Sequence, residues 1–452
     1  MSRATEKIYT IQKPAKKPDF ADLMKFIYEI QTDATATENL ARIEADYLSW
    51  DEFRKKSWIT DDRKEIYWAA TKEFRRHFRF STPIKDKDGN NYTFSPLNHN
   101  EFLHDIDLEF GGNFIGIKDF DDSNKRQIIR RNLIEESIAS SKLEGANTSR
   151  EAARIMLKEG RKPRNKSERM IVNNHEAMLK AEQELRHKPL SMETLFELHR
   201  IVTKETLEDE NLEGKLRETL DAKGNRLKIM PWDETTVAYT VPDREFVDEQ
   251  LPRLIDFAND ELPHNFIHPL FKAVMLHFWV GLLHPFEDGN GRLARILFYW
   301  YMLRKGYWAF AYLSLSEKIL KSPTQYAMSY LNSEQDDYDL NYFLHYNLKK
   351  LKLARSDLQK FAQAQIEENK IQGQIAMGQH GLNIRQIRLL HYLIKDEQRF
   401  TNVTAHKNNH QISNMTAVTD LKSLVEKGLL RKLRSGKNIN YFPMPKIEEI
   451  LK

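Results

Sequence analysis

Residues 274–303 read VMLHFWVGLLHPFEDGNGRLARILFYWYML. The first part, residues 274–286, is the longest apolar stretch in the chain. It is too short to span a bilayer and carries His277 and His284, so it reads as a buried helix. Pro285 and the glycines at 289 and 291 break that helix. Two glycines around Asn290 allow a tight loop whose backbone N–H groups point inward. From Arg292 the pattern is helical again, with Leu293, Ile296, Leu297 and Trp300 on one face. Helical patterns on both sides of the loop, and along most of the chain, predict a mainly α fold.

The loop carries chemistry. It sits on a helix N-terminus, where backbone dipoles favour an anion. Arg292 and Arg295 are three apart and project together from the first turn. Two guanidiniums over a glycine loop suit a polyphosphate. Asp288 is a hard oxygen ligand, and Mg²⁺ needs only one or two carboxylates when phosphates supply the rest. His284 can take a proton at neutral pH. Together these are the parts of phosphoryl or nucleotidyl transfer. Each alone has a plain structural reading, but a plain reading gives no reason for all of them at once.

Composition narrows the class. The chain has 452 residues, which at roughly 150 per domain suggests about three domains. With 40% hydrophobic and 11% aromatic residues it is not globally disordered. A mean hydropathy of −0.65 with 30% charged residues excludes a membrane protein. No cysteine is present, which excludes disulfides, thiolate zinc sites and cysteine nucleophiles. The first residues lack an apolar core, so no signal peptide is expected and the cytoplasm is the expected location. Net charge is +4. It is uneven: residues 383–452 hold 13 Lys/Arg against 6 Asp/Glu, leaving the remainder near neutral. A basic end module points to an acidic partner, nucleic acid first.

Outward from the loop, helical patterns are expected at 20–31 and 38–53. A hairpin signal, Asp86 to Asn90, lies between 82–84 and 92–94. It reads as a turn; Asn91 stands where a calcium loop of the EF-hand type needs glycine. Residues 125–350 read as a run of helices interrupted by a hairpin over 216–242. Residues 357–370 read as a connecting helix, followed by a looser stretch with Gly373, Gly378 and Gly381. The basic run 158–169 reads as a solvated loop. In the last seventy residues, Asn383 is a candidate N-cap, with Ile384, Ile387, Leu390 and Ile394 on one face. A short helix at 402–406 follows. Ser413 or Thr416 then caps a helix carrying Val418, Leu421, Leu424 and Val425, and a hairpin is expected over 429–442. Three helices and a two-stranded wing make a winged helix-turn-helix.

Residues 284–295 resemble the Fic signature, His-x-Phe-x-Asp/Glu-Gly-Asn-Gly-Arg-x-x-Arg, at every fixed position. The resemblance covers residues 126–350, and the preceding Ile267-His268-Pro269 and His277 agree with it. It implies transfer of AMP from ATP to a hydroxyl side chain of a protein, with release of pyrophosphate. By position, His284 would be the base. Asp288 would hold Mg²⁺, and Gly289, Asn290 and Gly291 would cradle phosphate oxygens. Arg292 and Arg295 would bind the polyphosphate, and Phe286 would anchor the core. Ser140 to Gly145 resembles the family's inhibitory motif. Glu144, with Ser140, would then pair with Arg295 and oppose productive ATP binding, and the same glutamate can support AMP removal. The hairpin resembles the family's flap, with Leu227, Lys228, Ile229 and Met230 as the strand that pairs with a target backbone.

The expected organisation is mainly α, with four parts. They are a helical N-terminal domain (1–120), a Fic core (126–350) with an inhibitory helix near 133–145, a connecting helix (351–382) and a winged helix (383–452). The lead reading is an autoinhibited transferase of AMP. The competing readings are a DNA-binding regulator whose core senses nucleotide, and an enzyme acting mainly in AMP removal. Partner classes left open are an unknown target protein, the chain itself as target, DNA through the winged helix, and a second copy; no membrane is expected.

Overall fold

A computed structural model describes residues 7–96, 99–113, 122–220, 224–230, 236–262, 265–378, 381–394, 400–410, 412–435 and 438–444. The chain is mostly helical, as the periodicity requires. Its elements begin with strand β1 (Lys7–Ile8) and helices α1 (Phe20–Thr32), α2 (Ala34–Ala45), α3 (Trp50–Phe53) and α4 (Asp61–His77). The β2 (Phe80–Lys85) and β3 (Asn91–Phe94) hairpin leads into α5 (Asn100–Ile106), α6 (Asp122–Leu143), α7 (Arg150–Glu159), α8 (Lys166–Lys180) and α9 (Met192–Thr203). Short strands β4 (Lys228–Ile229), β5 (Thr236–Val237) and β6 (Tyr239–Thr240) precede α10 (Arg244–Ala258), α11 (Pro269–Leu283) and α12 (Asn290–Arg304). Then come α13 (Leu315–Leu320), α14 (Pro323–Gln335), α15 (Asn341–Gly378), α16 (Ile384–Ile394), α17 (Val403–His410) and α18 (Asn414–Glu426), with β7 (Leu430–Ser435) and β8 (Asn438–Pro443) last.

The chain divides into two compact units. One comprises Met1–Phe114 and Ile129–Ser356, the other Ile115–Ile128 and Asp357–Lys452.

In the first unit α11 and α12 form the centre. Pro269 sits at the first turn of α11, where its missing N–H is harmless, and the His268 side chain accepts from the Leu270 N–H. Trp279 and Trp300 are fully buried. Residues 7–96 belong to this same unit. Arg75 is buried there: its Nε donates to Glu44 at 2.8 Å, Nη1 to the Tyr342 hydroxyl at 3.0 Å and Nη2 to the Leu48 carbonyl at 3.2 Å. Its guanidinium also lies 3.7 Å from the Tyr47 ring centre. Such a cation tolerates burial only with partners of this kind.

Several expectations change. The pattern at 38–53 is two helices rather than one, because Tyr47 adopts φ +47° and ends α2. The Asp86 turn holds: Asp86 accepts from the Asp88 and Asn90 N–H groups at 2.9 and 2.7 Å. The hairpin within 216–242 is shorter than expected among the described residues. Its stem is Lys228 opposite Thr240 and Ile229 opposite Tyr239. Thr236–Val237 instead pairs in parallel with Lys7–Ile8. Lys223 and Thr235 lie outside the described residues. The connecting helix is part of the longer α15, and Gly373 lies inside it. The basic run is tied down at one point, where Arg161 pairs with Glu168 at 2.8 Å.

The second unit holds α16, α17, α18 and the antiparallel β7–β8 pair. Ser413 caps α18 by accepting from the Thr416 N–H at 3.1 Å. Ile387, Leu390, Leu421 and Leu424 build its core. Two residues expected there are exposed: Ile384 at 62% and Val418 at 40%. The buried face of α16 is turned toward Gln386, Ile387 and Leu390 by the Asp420 carboxylate. That carboxylate accepts from Asn383 and Arg385, while Gln386 bonds the Asp420 carbonyl. The Ile394 side chain, Gly436 and Lys437 lie outside the described residues.

Buried imidazoles set an acid limit. Desolvation pushes His99 and His175 down to about 4, and His345 to about 3. Unfolded, each titrates near ~6.5, so below that pH the unfolded chain binds more protons. The contribution of these imidazoles is therefore complete above about pH 6.5 and falls as pH drops toward 4, while the buried Glu334 carboxyl, pushed up to about 8, adds stability as pH falls through 8. Thermal melts taken from pH 6 to 4.5, where these histidines outnumber Glu334, should show Tm falling; a Tm that is flat or rises over that range would contradict the assignment.

Candidate active site

The loop after α11 starts with strain. His284 caps α11 in the left-handed region (φ 44°, ψ 58°), with its N–H on the Val280 carbonyl at 2.9 Å. Pro285 then forbids further helix. Burial drives the His284 imidazole down to about 4, with Glu144 opposing the shift. The ring is therefore neutral at pH 7, the form able to accept a proton.

Asn290 closes the loop. Its Oδ1 accepts from the Phe286 N–H at 3.0 Å and its Nδ2 donates to the Phe286 carbonyl at 2.8 Å. Its side chain is thus engaged inside the loop, which leaves its backbone N–H as its contribution to an anion. The Gly289 N–H bonds the Asp288 carboxylate. Gly289 has φ +85°, and a Cβ there would lie 2.9 Å from Thr203 Cγ2, so glycine is required twice over. α12 begins at once, aiming its unpaired first-turn N–H groups at the loop.

Both arginines are buried. Arg292 donates to the Val202 carbonyl at 3.0 Å and to Asp288 at 3.2 Å. Arg295 donates through Nε to Ser140 Oγ at 2.8 Å, and through Nη2 to the Ser140 carbonyl at 3.0 Å and Glu144 Oε1 at 2.9 Å. Glu144 also lies against the loop itself: a Cβ on Gly291 would come within 2.2 Å of Glu144 Oε1. The end of α6 therefore brings Ser140 and Glu144, 155 and 151 residues from Arg295 in sequence, onto the loop.

Glu136 fastens α6 one turn earlier. It accepts from the Tyr299 hydroxyl at 3.0 Å, from Ser314 Oγ at 2.9 Å and from the Ser316 N–H and hydroxyl. Burial raises its pKa and these donors oppose the rise.

The start of the 216–242 segment is fixed to the loop. Arg217 Nε donates to the His284 carbonyl at 2.6 Å, and its N–H to the Pro285 carbonyl at 3.0 Å. Its Nη2 reaches the Pro242 carbonyl at 2.8 Å. Leu227, Lys228 and Ile229 are half-buried and Met230 is exposed. The Tyr239 hydroxyl pins β6 to the Leu282 carbonyl at 2.9 Å.

Sequence reasoning missed His199. It is buried on α9, flat against the Phe286 ring with centroids 3.7 Å apart. Its signal was a polar residue at a core position among Leu195, Leu198 and Val202. Glu136 was missed as well, since a charge at a core position gives no periodic signal.

The residues fit a nucleotide and its cation. Arg292 Nε and Arg295 Nη1 are buried donors without a hydrogen-bond partner, as an anion site requires. Asp288 is a half-exposed carboxylate beside them. Among the described residues no cluster of three or more His, Asp or Glu side chains forms a metal cage. A single carboxylate is the donor set expected when phosphates complete a Mg²⁺ shell. Among those residues, too, no helix is long and apolar enough to cross a membrane.

Residues 189–302 match the Fic/DOC family. Over 121 residues, 27% of this chain, the sequence is 33% identical to protein adenylyltransferase fic-1 of Caenorhabditis elegans, and equally to that of Caenorhabditis briggsae. The match spans only 21% of the length of those relatives. A Fic family protein from Desulfovibrio desulfuricans G20 is 16% identical in structure-based comparison, with a TM-score of 0.47, covering 76% of this chain and 96% of its own. Fic-1 (aa134–508) from C. elegans is 24% identical with a TM-score of 0.44, covering 58% and 70%.

Phe286 couples the loop to α9 through packing alone. Phe286→Ala should destabilise the chain by roughly 3–5 kcal/mol in urea unfolding. A loss under about 1 kcal/mol would show that the stacked pair is not a structural anchor.

Proposed function

We propose that this chain, which carries a Fic domain, is an autoinhibited protein adenylyltransferase. The observation that supports this best is the Glu144 carboxylate lying over Gly291 while it binds Arg295. An acid placed on an anion cradle occupies the ground that a phosphate needs.

In this reading ATP is the substrate. His284, neutral at pH 7, takes the proton of a target hydroxyl. The hydroxyl oxygen bonds to the α-phosphorus, the bond to the β-phosphate bridging oxygen breaks, and pyrophosphate leaves. The N–H groups of the loop, the start of α12, Arg292 and Arg295 stabilise the phosphate oxygens. Mg²⁺ held by Asp288 would neutralise phosphate charge. Leu227 to Met230 offer a strand to the target backbone, and β6 already pairs with its other side. Release of Glu144 frees Arg295 for the terminal phosphate. The same carboxylate, once mobile, could act in AMP removal.

Residues 383–452 are proposed as a winged helix. Arg431, Lys432 and Arg434 of β7 are exposed and favour an acidic partner. On α18 the exposed face carries Met415 and Val418, and its Lys422 lies near Glu426 at 3.6 Å. That apolar face fits a protein surface at least as well as DNA phosphates.

The test uses ATP labelled at the α-phosphate with Mg²⁺, counting label on protein. Glu144→Gly should label strongly, wild type weakly, and Glu144→Gly with His284→Ala not at all. Equal labelling of wild type and Glu144→Gly would overturn the autoinhibition, and no label on any chain would overturn the transferase reading.

A further inference from the structure

We infer that His199 is a positioning residue that bolts the flap root to the loop carrying Asp288, so that the two move as one. Its functional consequence rests on the transferase reading; the tie itself rests on geometry.

The last turn of α9 is the shared bed. His199 is fully buried and lies between two backbones. Its Nδ1 accepts from the Gly214 N–H at 2.9 Å. A ring nitrogen that accepts carries no proton, so the neutral ring has its proton on Nε2. That nitrogen is 2.9 Å from the Asp288 carbonyl and donates to it. One ring thus satisfies a donor on the flap side and an acceptor on the signature side. Its face packs on Phe286 at an interplanar angle of 10°.

The backbones press on α9 on both sides. Gly214 has φ +70°, and a Cβ there would lie 2.5 Å from Arg200 Cγ. Gly289 has φ +85°, and a Cβ there would meet Thr203 Cγ2 and Val202 Cγ1 at 2.9 and 3.3 Å. Both contacts are too close for any side chain. Three residues beyond Gly214, Arg217 holds the His284 and Pro285 carbonyls. The flap root is therefore tied at the start of the signature loop by Arg217 and at Asp288 by His199. A flap displaced by a target would pull on the backbone that aims the Asp288 carboxylate, and a nucleotide ordering that carboxylate would brace the flap. Outer-shell partners of this kind commonly change affinity or activity by roughly 10–100-fold when removed.

Hydrogen–deuterium exchange on the full chain tests the tie without reference to activity. His199→Phe keeps a ring on Phe286 and removes both hydrogen bonds. His199→Asn places its amide oxygen near the position of Nδ1, and His199→Gln places its amide nitrogen near that of Nε2. The Phe variant should exchange roughly tenfold faster in peptides covering both 212–218 and 285–291. The Asn variant should loosen 285–291 and protect 212–218, and the Gln variant should do the reverse. The inference is overturned if the Phe variant exchanges like wild type in both peptides, or if Asn and Gln each loosen both equally. If the Phe variant unfolds, the Asn–Gln pair decides alone. In a Glu144→Gly background, His199→Phe should raise the KM for Mg²⁺-ATP about tenfold or more, with Asn doing the same and Gln restoring most of the affinity. Absence of any AMP transfer in Glu144→Gly itself would defeat the transferase reading and leave the exchange result standing.

Discussion

A guanidinium with no route to water needs acceptors for its donors, and Arg295 finds them on the last turn of α6 and the residue just past it. It is 1% exposed, and its donors end on Ser140 Oγ, the Ser140 carbonyl and Glu144. Removing water from such a cation is unfavourable by several kcal/mol unless partners replace it. Arg295 therefore ties the end of α6 to the start of α12. Glu136 anchors α6 a turn away, where Tyr299 and Ser316 donate to a carboxylate that burial pushes toward its protonated form. Arg292 Nε and Arg295 Nη1 are buried there without a hydrogen-bond partner. In the proposed reading, a polyphosphate that displaces Glu144 supplies the negative charge that Arg295 would lose.

The loop below this ion pair owes its shape to small residues and to side chains that turn inward. Gly289 and Gly291 allow close approach of Thr203 and Glu144, and Asn290 stitches the loop to Phe286. α9 supplies the floor. Its last turn carries His199, Val202 and Thr203, each touching the signature. The loop is thus held by three elements: the end of α6 through Glu144 and Ser140, α9 through His199, and the 216–242 segment through Arg217.

Much of this was legible in the residues. Residues 284–295 combine glycine, arginine and carboxylate at spacings that have one economical chemical meaning, and Glu144 followed from a short motif ahead of them. The mainly α class followed from helical periodicity. What escaped the sequence depends on distant partners. Nothing in Thr236–Val237 announces a strand pairing with Lys7–Ile8, and nothing in Tyr47 announces a left-handed break. Ile384 and Val418 sit on apolar stripes yet face solvent, because the Asp420 network fixes the rotation of α16, and α18 buries Ala417, Leu421 and Leu424. His199 stayed hidden because a buried histidine at a core spacing looks like any other core residue until its two partners are seen.

The account stands or falls on whether Glu144 competes with a nucleotide for Arg295 and the loop. Calorimetric titration of ATP with Mg²⁺ into wild type and into Glu144→Gly measures that competition directly. Glu144→Gly should bind at least about tenfold more tightly, a difference of roughly 1.4 kcal/mol. Equal affinity, or weaker binding by Glu144→Gly, would contradict it.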